Sequence, residues 1–201
     1  FSTRDASVGA WNSMYVKIIV TLFMFLGGVN FALLFRASTG HVRELWRSEV
    51  FRTYIYVIGV MLVLFVVAIF ANKEAHTFED TIVDPLFLIV STITSTGLTV
   101  SNFEKWGAFV IALMFVLMFI GACAGSTGGG IKVSRIIIML KTVRDELSRI
   151  IHPRAVKKVR LEGKTVEHTV VRSINTYLLG FIAVFIFSLF VVSIDNFSFE
   201  S

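Results

Sequence analysis

Residues Thr77 to Thr99 dictate most of what this chain can become, because they fit a helix start, an apolar run and a hydroxyl-rich tail into very little length. Thr77-Phe78-Glu79-Asp80 has the form of a capping box with Asp in place of Glu. Asp84-Pro85 offers a second start, with Asp as N-cap and Pro at the first helical position. Either start leaves about 8 to 16 residues before the tail, or ~12 to 24 Å of helix, against a hydrocarbon core about 30 Å thick. A segment this short between membrane spans has to go in and come back. Irregular backbone survives at membrane depth only where protein or a water-filled cavity satisfies its polar groups. The spacing therefore predicts a short pore helix over 78–93 and a pore-lining filter formed by Thr94, Ser95, Thr96, Gly97, Leu98 and Thr99.

The membrane itself is read from composition. The chain is 55% hydrophobic and only 16% charged, with a mean hydropathy of +0.78, where a soluble domain carries about 25% charged residues. Apolar spans are expected over 15–35, 53–71, 107–120 and 171–194. Fifteen of the 19 Lys and Arg fall in residues 36–52 and 132–172, while Glu74, Glu79, Asp80, Asp84, Asp195 and Glu200 fall in the segments between them or after them. By the positive-inside rule the basic connections are cytoplasmic and the acidic ones external. The net charge of +5 thus reflects topology, and no nucleic-acid partner is expected. Lys17, in the first turn of the first span, is expected to reach the interface. Asn30, inside that span, is open to two readings, an interhelical hydrogen bond or a pore-lining or gating contact.

A second irregularity follows Ile120. Gly121-Ala122-Cys123-Ala124-Gly125-Ser126-Thr127-Gly128-Gly129-Gly130 holds five glycines in ten positions, and each costs about 1 kcal/mol relative to Ala inside a helix. The span from Trp106 is therefore expected to break ~22 Å down, beneath the filter. One reading of the break is a flexible flap below the filter; the other is close helix packing through small residues. Lys132 and Arg135 just beyond it either repel cations at the inner mouth or only mark the cytoplasmic end.

Together these features predict an all-α integral membrane protein of span, pore-loop, span repeats with a broken helix. Residues 1–36 are expected to close one repeat and 37–52 to be a cytoplasmic connection. Residues 53–146 form a complete repeat: span 53–71, pore helix 78–93, filter 94–99, and broken span 106–146 with loop 121–130. A basic cytoplasmic connection, 147–170, leads to the first span of a further repeat, 171–201. Internal matches support the repeat. Phe25-Leu26-Gly27 corresponds to Phe119-Ile120-Gly121, Phe1-Ser2-Thr3 before Trp11 to Leu98-Thr99-Val100 before Trp106, and Arg52-Thr53 to Arg172-Ser173. The start at Phe1 and the ending at Ser201 are those expected of an internal piece of a longer polypeptide, with no targeting segment.

Enzymatic chemistry finds no support in the residues. Gly125 to Lys132 departs from the phosphate-binding loop because Ile131 separates Gly130 from Lys132. His41, His76, His152 and His168 lack metal-ligand spacing, and no nucleophile lies beside a base. Cys123 is single and says nothing of redox compartment. Residues 147–170 either dock a cytosolic protein or anionic lipid or form a solvated connection. Two functions of different class remain. One is a cation-conducting subunit. The other is a non-conducting membrane protein whose broken helix binds a partner or small ligand.

Thr94-Ser95-Thr96-Gly97-Leu98-Thr99 is similar to the pore-loop motif of the TrkH/KtrB branch of the potassium transporter superfamily. Gly121 to Lys132 resembles that family's intramembrane loop, and the likeness is close to the TrkH type. The resemblance implies four repeats around one pore, of which this chain would run from just after the second filter to the first span of the fourth. It implies potassium as the transported ion, held by the backbone of Thr96, Gly97 and Leu98, and a gating loop that includes Gly121, Gly125, Ser126, Thr127, Gly128, Gly129, Gly130 and Lys132. It further implies a homodimer in the bacterial inner membrane and a cytosolic nucleotide-binding regulatory subunit of the TrkA/KtrA kind. One glycine, rather than the two of the Thr-Val-Gly-Tyr-Gly loop of tetrameric potassium channels, leads us to expect fewer ion sites and weaker discrimination against sodium.

Overall fold

The computed structural model describes residues 7–11, 13–72, 77–101, 106–151 and 159–194. Phe1-Ser2-Thr3, Glu74, His76, His152 and the stretch from Asp195 to Ser201 lie outside the described residues. The chain forms two units, Phe1–Ser134 and Arg135–Ser201.

In the first unit, a 3-10 turn at Ser7–Ala10 precedes α1, Met14–Gly27, and α2, Phe31–Ser38. The unbroken span expected over 15–35 is thus two helices, bent by 110°. The cause is local. Gly27-Gly28 weakens the helix, and Asn30 then caps a new one, its Oδ1 accepting from the N–H groups of Ala32 and Leu33 at 2.8 and 3.4 Å. A short α3, Val42–Arg47, leads to Ser48, whose hydroxyl accepts from Phe51 N–H at 3.3 Å and starts α4, Glu49–Ala71. With 23 residues, α4 is long and apolar enough to cross a membrane.

The chain then re-enters through a π-helical turn, Glu79–Val83, continuous with α5, Asp84–Ile93. Pro85 sits in the first turn, where its missing N–H costs nothing. Asp84 is not the cap expected of it. Its carboxylate and that of Glu79 each lie 2.7 Å from the Lys17 ammonium, and Lys17 and Asp84 are both buried. Lys17 therefore does not reach the interface, because two acids of the re-entrant segment neutralise it inside the protein. α5 packs against α1, α4 and α6, Ala108–Phe119. Phe87, Leu88, Ile89 and Ile93 of α5, with Tyr54 and Phe65 of α4 and Leu117 of α6, form the fully buried core. At its outer end Asn72 Nδ2 donates to the Trp106 carbonyl at 2.7 Å.

α6 has 12 residues, ~18 Å, and stops short of a full crossing. The chain resumes at α7, Val133–Ile151, after β1, Ile120–Gly121, and β2, Ile131–Lys132, which pair in parallel. In the second unit, α7 continues past the point where a loop is expected. β3, Arg160–Leu161, and β4, Lys164–Thr165, then form a small hairpin turned by Glu162 and Gly163, both at positive φ. The Lys141 ammonium donates to the Arg160 carbonyl at 2.8 Å. α8, His168–Ile194, is the second helix long and apolar enough to span a membrane, and the Arg135 guanidinium lies 3.8 Å over the Tyr177 ring.

Candidate ion site and its glycine-rich loop

α5 ends at Ile93, and hydroxyl groups decide how the chain leaves it. Thr94 Oγ1 donates to the Val90 carbonyl at 2.6 Å, which holds Thr94 against the last turn. The Thr94 and Thr96 hydroxyls are 2.8 Å apart. Ser95 N–H donates to the Thr92 carbonyl at 3.0 Å and Thr96 N–H to that of Ser91 at 2.8 Å, so the backbone folds back on the helix end. Ser91 completes the arrangement from below, its hydroxyl donating to the Leu98 carbonyl at 2.7 Å. Sequence reasoning gave Ser91 no such role.

The result is a turn with buried supports and an exposed crest. Ser91, Ile93 and Thr94 are buried, Leu98 and Thr99 are half-buried, and Ser95, Thr96 and Gly97 are exposed. Ser95 has φ 57° and Gly97 φ 74°. Gly97 adopts that left-handed angle without the Cβ penalty of about 1–2 kcal/mol, and a Cβ built there would meet nothing within 4 Å. Among the described residues no donor reaches the Thr96 and Gly97 carbonyls. The Leu98 carbonyl, already accepting from Ser91, keeps one lone pair. The carboxyl end of α5 adds partial negative charge beside the turn, which favours a cation.

The glycine-rich loop lies against this turn. Gly129 N–H donates to Ser95 Oγ at 3.1 Å, and a Cβ at Gly128 would stand 3.2 Å from the Thr94 carbonyl. The loop is also tied to the break between α1 and α2. Cys123 N–H donates to Gly28 O at 3.0 Å, Phe31 N–H to Gly125 O at 3.1 Å, and the Thr127 N–H and hydroxyl to Gly27 O at 3.4 and 3.2 Å. Asn30 Nδ2 donates to Ala124 O at 2.6 Å. Asn30 thus joins two broken segments, and the Gly27-Gly28 pair before a capping Asn is the signal in the sequence that would have revealed the first break. Gly121 and Gly130 lie at the paired ends of the loop, where Ile120 and Gly121 face Ile131 and Lys132. Ser126 Oγ donates to the Cys123 carbonyl at 2.6 Å. The Lys132 ammonium folds back into the loop, donating to the Gly128 carbonyl and, at 3.4 Å, to the carbonyl and hydroxyl of Ser126.

A family model described as a cation transport protein, TrkH, matches residues 1–200. The chain is 32% identical over 202 residues to the Trk system potassium uptake protein TrkH of Escherichia coli K12, covering 98% of this chain and 42% of the relative. It is 33% identical over 192 residues to the protein of the same name from Vibrio parahaemolyticus, covering 92% and 39%. The crystal structure of the potassium transporter TrkH from Vibrio parahaemolyticus superposes with a TM-score of 0.90 at 30% identity, over 98% of this chain and 43% of that one. The chain thus spans about two fifths of the length of these relatives. A re-entrant helix ending in an exposed hydroxyl and glycine turn, a broken helix beside it, and a match over nearly every residue lead to one conclusion: the chain belongs to the TrkH family of cation transport proteins.

Proposed function

We propose that this chain contributes one quarter of a potassium-conducting pore in the bacterial inner membrane, with the turn after α5 as its part of the selectivity filter. The observation that carries the reading is that Thr96 and Gly97 are exposed and their carbonyls accept from no donor among the described residues, at the carboxyl end of a buried helix. A permeating cation gives up water, and backbone carbonyls replace its hydration shell. Thr96 and Gly97 supply the better-placed oxygens and Leu98 a weaker one, because Ser91 already uses part of its carbonyl. The Thr94 hydroxyl and the Ser95 N–H hold the turn, and Thr99 joins the filter by its place in the sequence. The relatives' names, potassium uptake proteins, agree with potassium as the cargo.

The loop from Gly121 to Gly130 acts as the gate. Its six hydrogen bonds to Ser95, Gly27, Gly28, Asn30 and Phe31 are individually weak, of the order of 1 kcal/mol each, and none involves a residue of α6 or α7, so it is able to detach without unfolding either helix. Pairing of full-length chains and a nucleotide-binding cytosolic regulator would supply the bias between attached and detached states.

The test is ion flux through the full-length protein in liposomes. Gly97→Ser places a side chain at a φ of 74° and is expected to lower the permeability ratio of potassium over sodium. An unchanged ratio rejects the filter assignment. Deletion of Gly125 to Gly130 is expected to raise flux in the absence of any regulatory protein, and unchanged flux rejects the gate.

A further inference from the structure

α2 and α3 form a hairpin that contains none of the residues of the filter turn or the glycine-rich loop. The 110° bend turns α2 away from the direction of α1, at the end of the chain's first span that the basic residues assign to the cytoplasm. Phe31 and Phe35 on α2 and Val42 and Trp46 on α3 are exposed. The Arg36 guanidinium lies 2.6 Å from the Glu44 carboxylate, which joins α2 to α3 and neutralises the only acid of this hairpin. Arg43 and Arg47 are left. They stand four residues apart, so they share a helix face, and with Trp46 they line an open recess of about 520 Å³. Among the described residues neither arginine has an ion pair. Trp46 is fixed by an edge contact to Phe51, ring centres 5.8 Å apart, while 60% of it remains exposed.

We propose that this recess binds the headgroup of an anionic phospholipid of the inner leaflet. A phosphodiester fits two guanidinium forks better than it fits point charges. Trp46 sits where an amphipathic ring favours the membrane interface, and Phe31 and Phe35 offer apolar surface for an acyl chain. An arginine pair with no ion-pair partner among the described residues selects a lipid of net negative charge over a zwitterionic one. The arginines and Trp46 belong neither to the filter turn nor to the glycine-rich loop, and only Phe31 touches that loop, its N–H donating to the Gly125 carbonyl.

Lipid retention by the full-length protein, measured by native mass spectrometry after extraction from vesicles of mixed phosphatidylglycerol and phosphatidylethanolamine, tests it. The protein is expected to retain phosphatidylglycerol preferentially. Each basic residue at a membrane surface contributes about 1 kcal/mol, so R43Q/R47Q should weaken retention roughly thirtyfold, with potassium flux measured in parallel as a separate readout. R43K/R47K keeps the charge but loses the forks and should fall in between, which separates headgroup recognition from a folding defect. Equal retention by wild type and R43Q/R47Q overturns the proposal. So does displacement by inorganic phosphate alone, which marks a free-anion site. Loss of an acidic cytosolic protein with lipid retention intact also overturns it, because the face then belongs to a protein partner.

Discussion

The backbone N–H of Gly129 donates to the hydroxyl of Ser95 at 3.1 Å, so the glycine-rich loop is bonded to the crest of the turn that follows α5. If the turn is the filter and the loop the gate, this one bond couples them. Ser95→Gly removes the hydroxyl yet accommodates the φ of 57°. Loss of a bond worth about 1 kcal/mol shifts the balance toward detachment roughly fivefold. Rubidium uptake into liposomes without a regulatory protein is expected to rise severalfold.

Asn30 carries a different part of the same restraint. Its side chain caps α2 and bonds to the Ala124 carbonyl. Asn30→Ala should cost about 1–2 kcal/mol at the cap alone. Amide hydrogen exchange over residues 121–130 is expected to quicken about tenfold, while exchange in the core of α5 stays unchanged.

The Lys17, Glu79 and Asp84 cluster makes a stability prediction. Breaking a buried pair by removing one partner costs about 3–5 kcal/mol, because the remaining charge is stranded, whereas replacing both is far milder. Lys17→Met should therefore lower the thermal midpoint of the detergent-solubilised protein markedly. Lys17→Met combined with Asp84→Asn should recover most of that loss, with Glu79, partly exposed, remaining hydrated.

Gly28 tests the close approach between the first break and the re-entrant segment. A Cβ there would lie 2.3 Å from the Tyr54 hydroxyl and 2.8 Å from the Thr94 methyl. Tyr54 is fully buried and has little room to move. Gly28→Ala is expected to destabilise by about 1–3 kcal/mol, seen as a lower melting temperature. Addition of Tyr54→Phe should restore part of it by removing the closer atom.

The sequence revealed these features unevenly, and the reasons are physical. The re-entrant segment was legible because length is decisive: too few residues lie between Thr77 and Thr94 to cross lipid. The break near Gly121 was legible because five glycines oppose a helix. The break after Gly27 is not, although Phe25-Leu26-Gly27 corresponds to Phe119-Ile120-Gly121. Two glycines in an apolar run of 21 residues are a weak signal, and Asn30 reads equally as a buried polar contact until its cap is seen. The pairing of Lys17 with Asp84 is hidden for a related reason. Each has a sensible local role, at the interface or as a cap, and only the packing of α1 against the re-entrant segment reveals that they neutralise each other. The parallel pairing of β1 with β2, two residues each, is set by closure of the loop and leaves no β pattern to read.

The proposed filter requires that the Thr96 and Gly97 carbonyls bind a dehydrated alkali ion. A crystal structure of the full-length protein grown in rubidium, with anomalous diffraction recorded at the rubidium edge, tests it most directly. An anomalous peak is expected within coordination distance of both carbonyls, enclosed by the corresponding turns of the other repeats. Anomalous density absent from that position, or these two carbonyls directed away from the central axis, would contradict it.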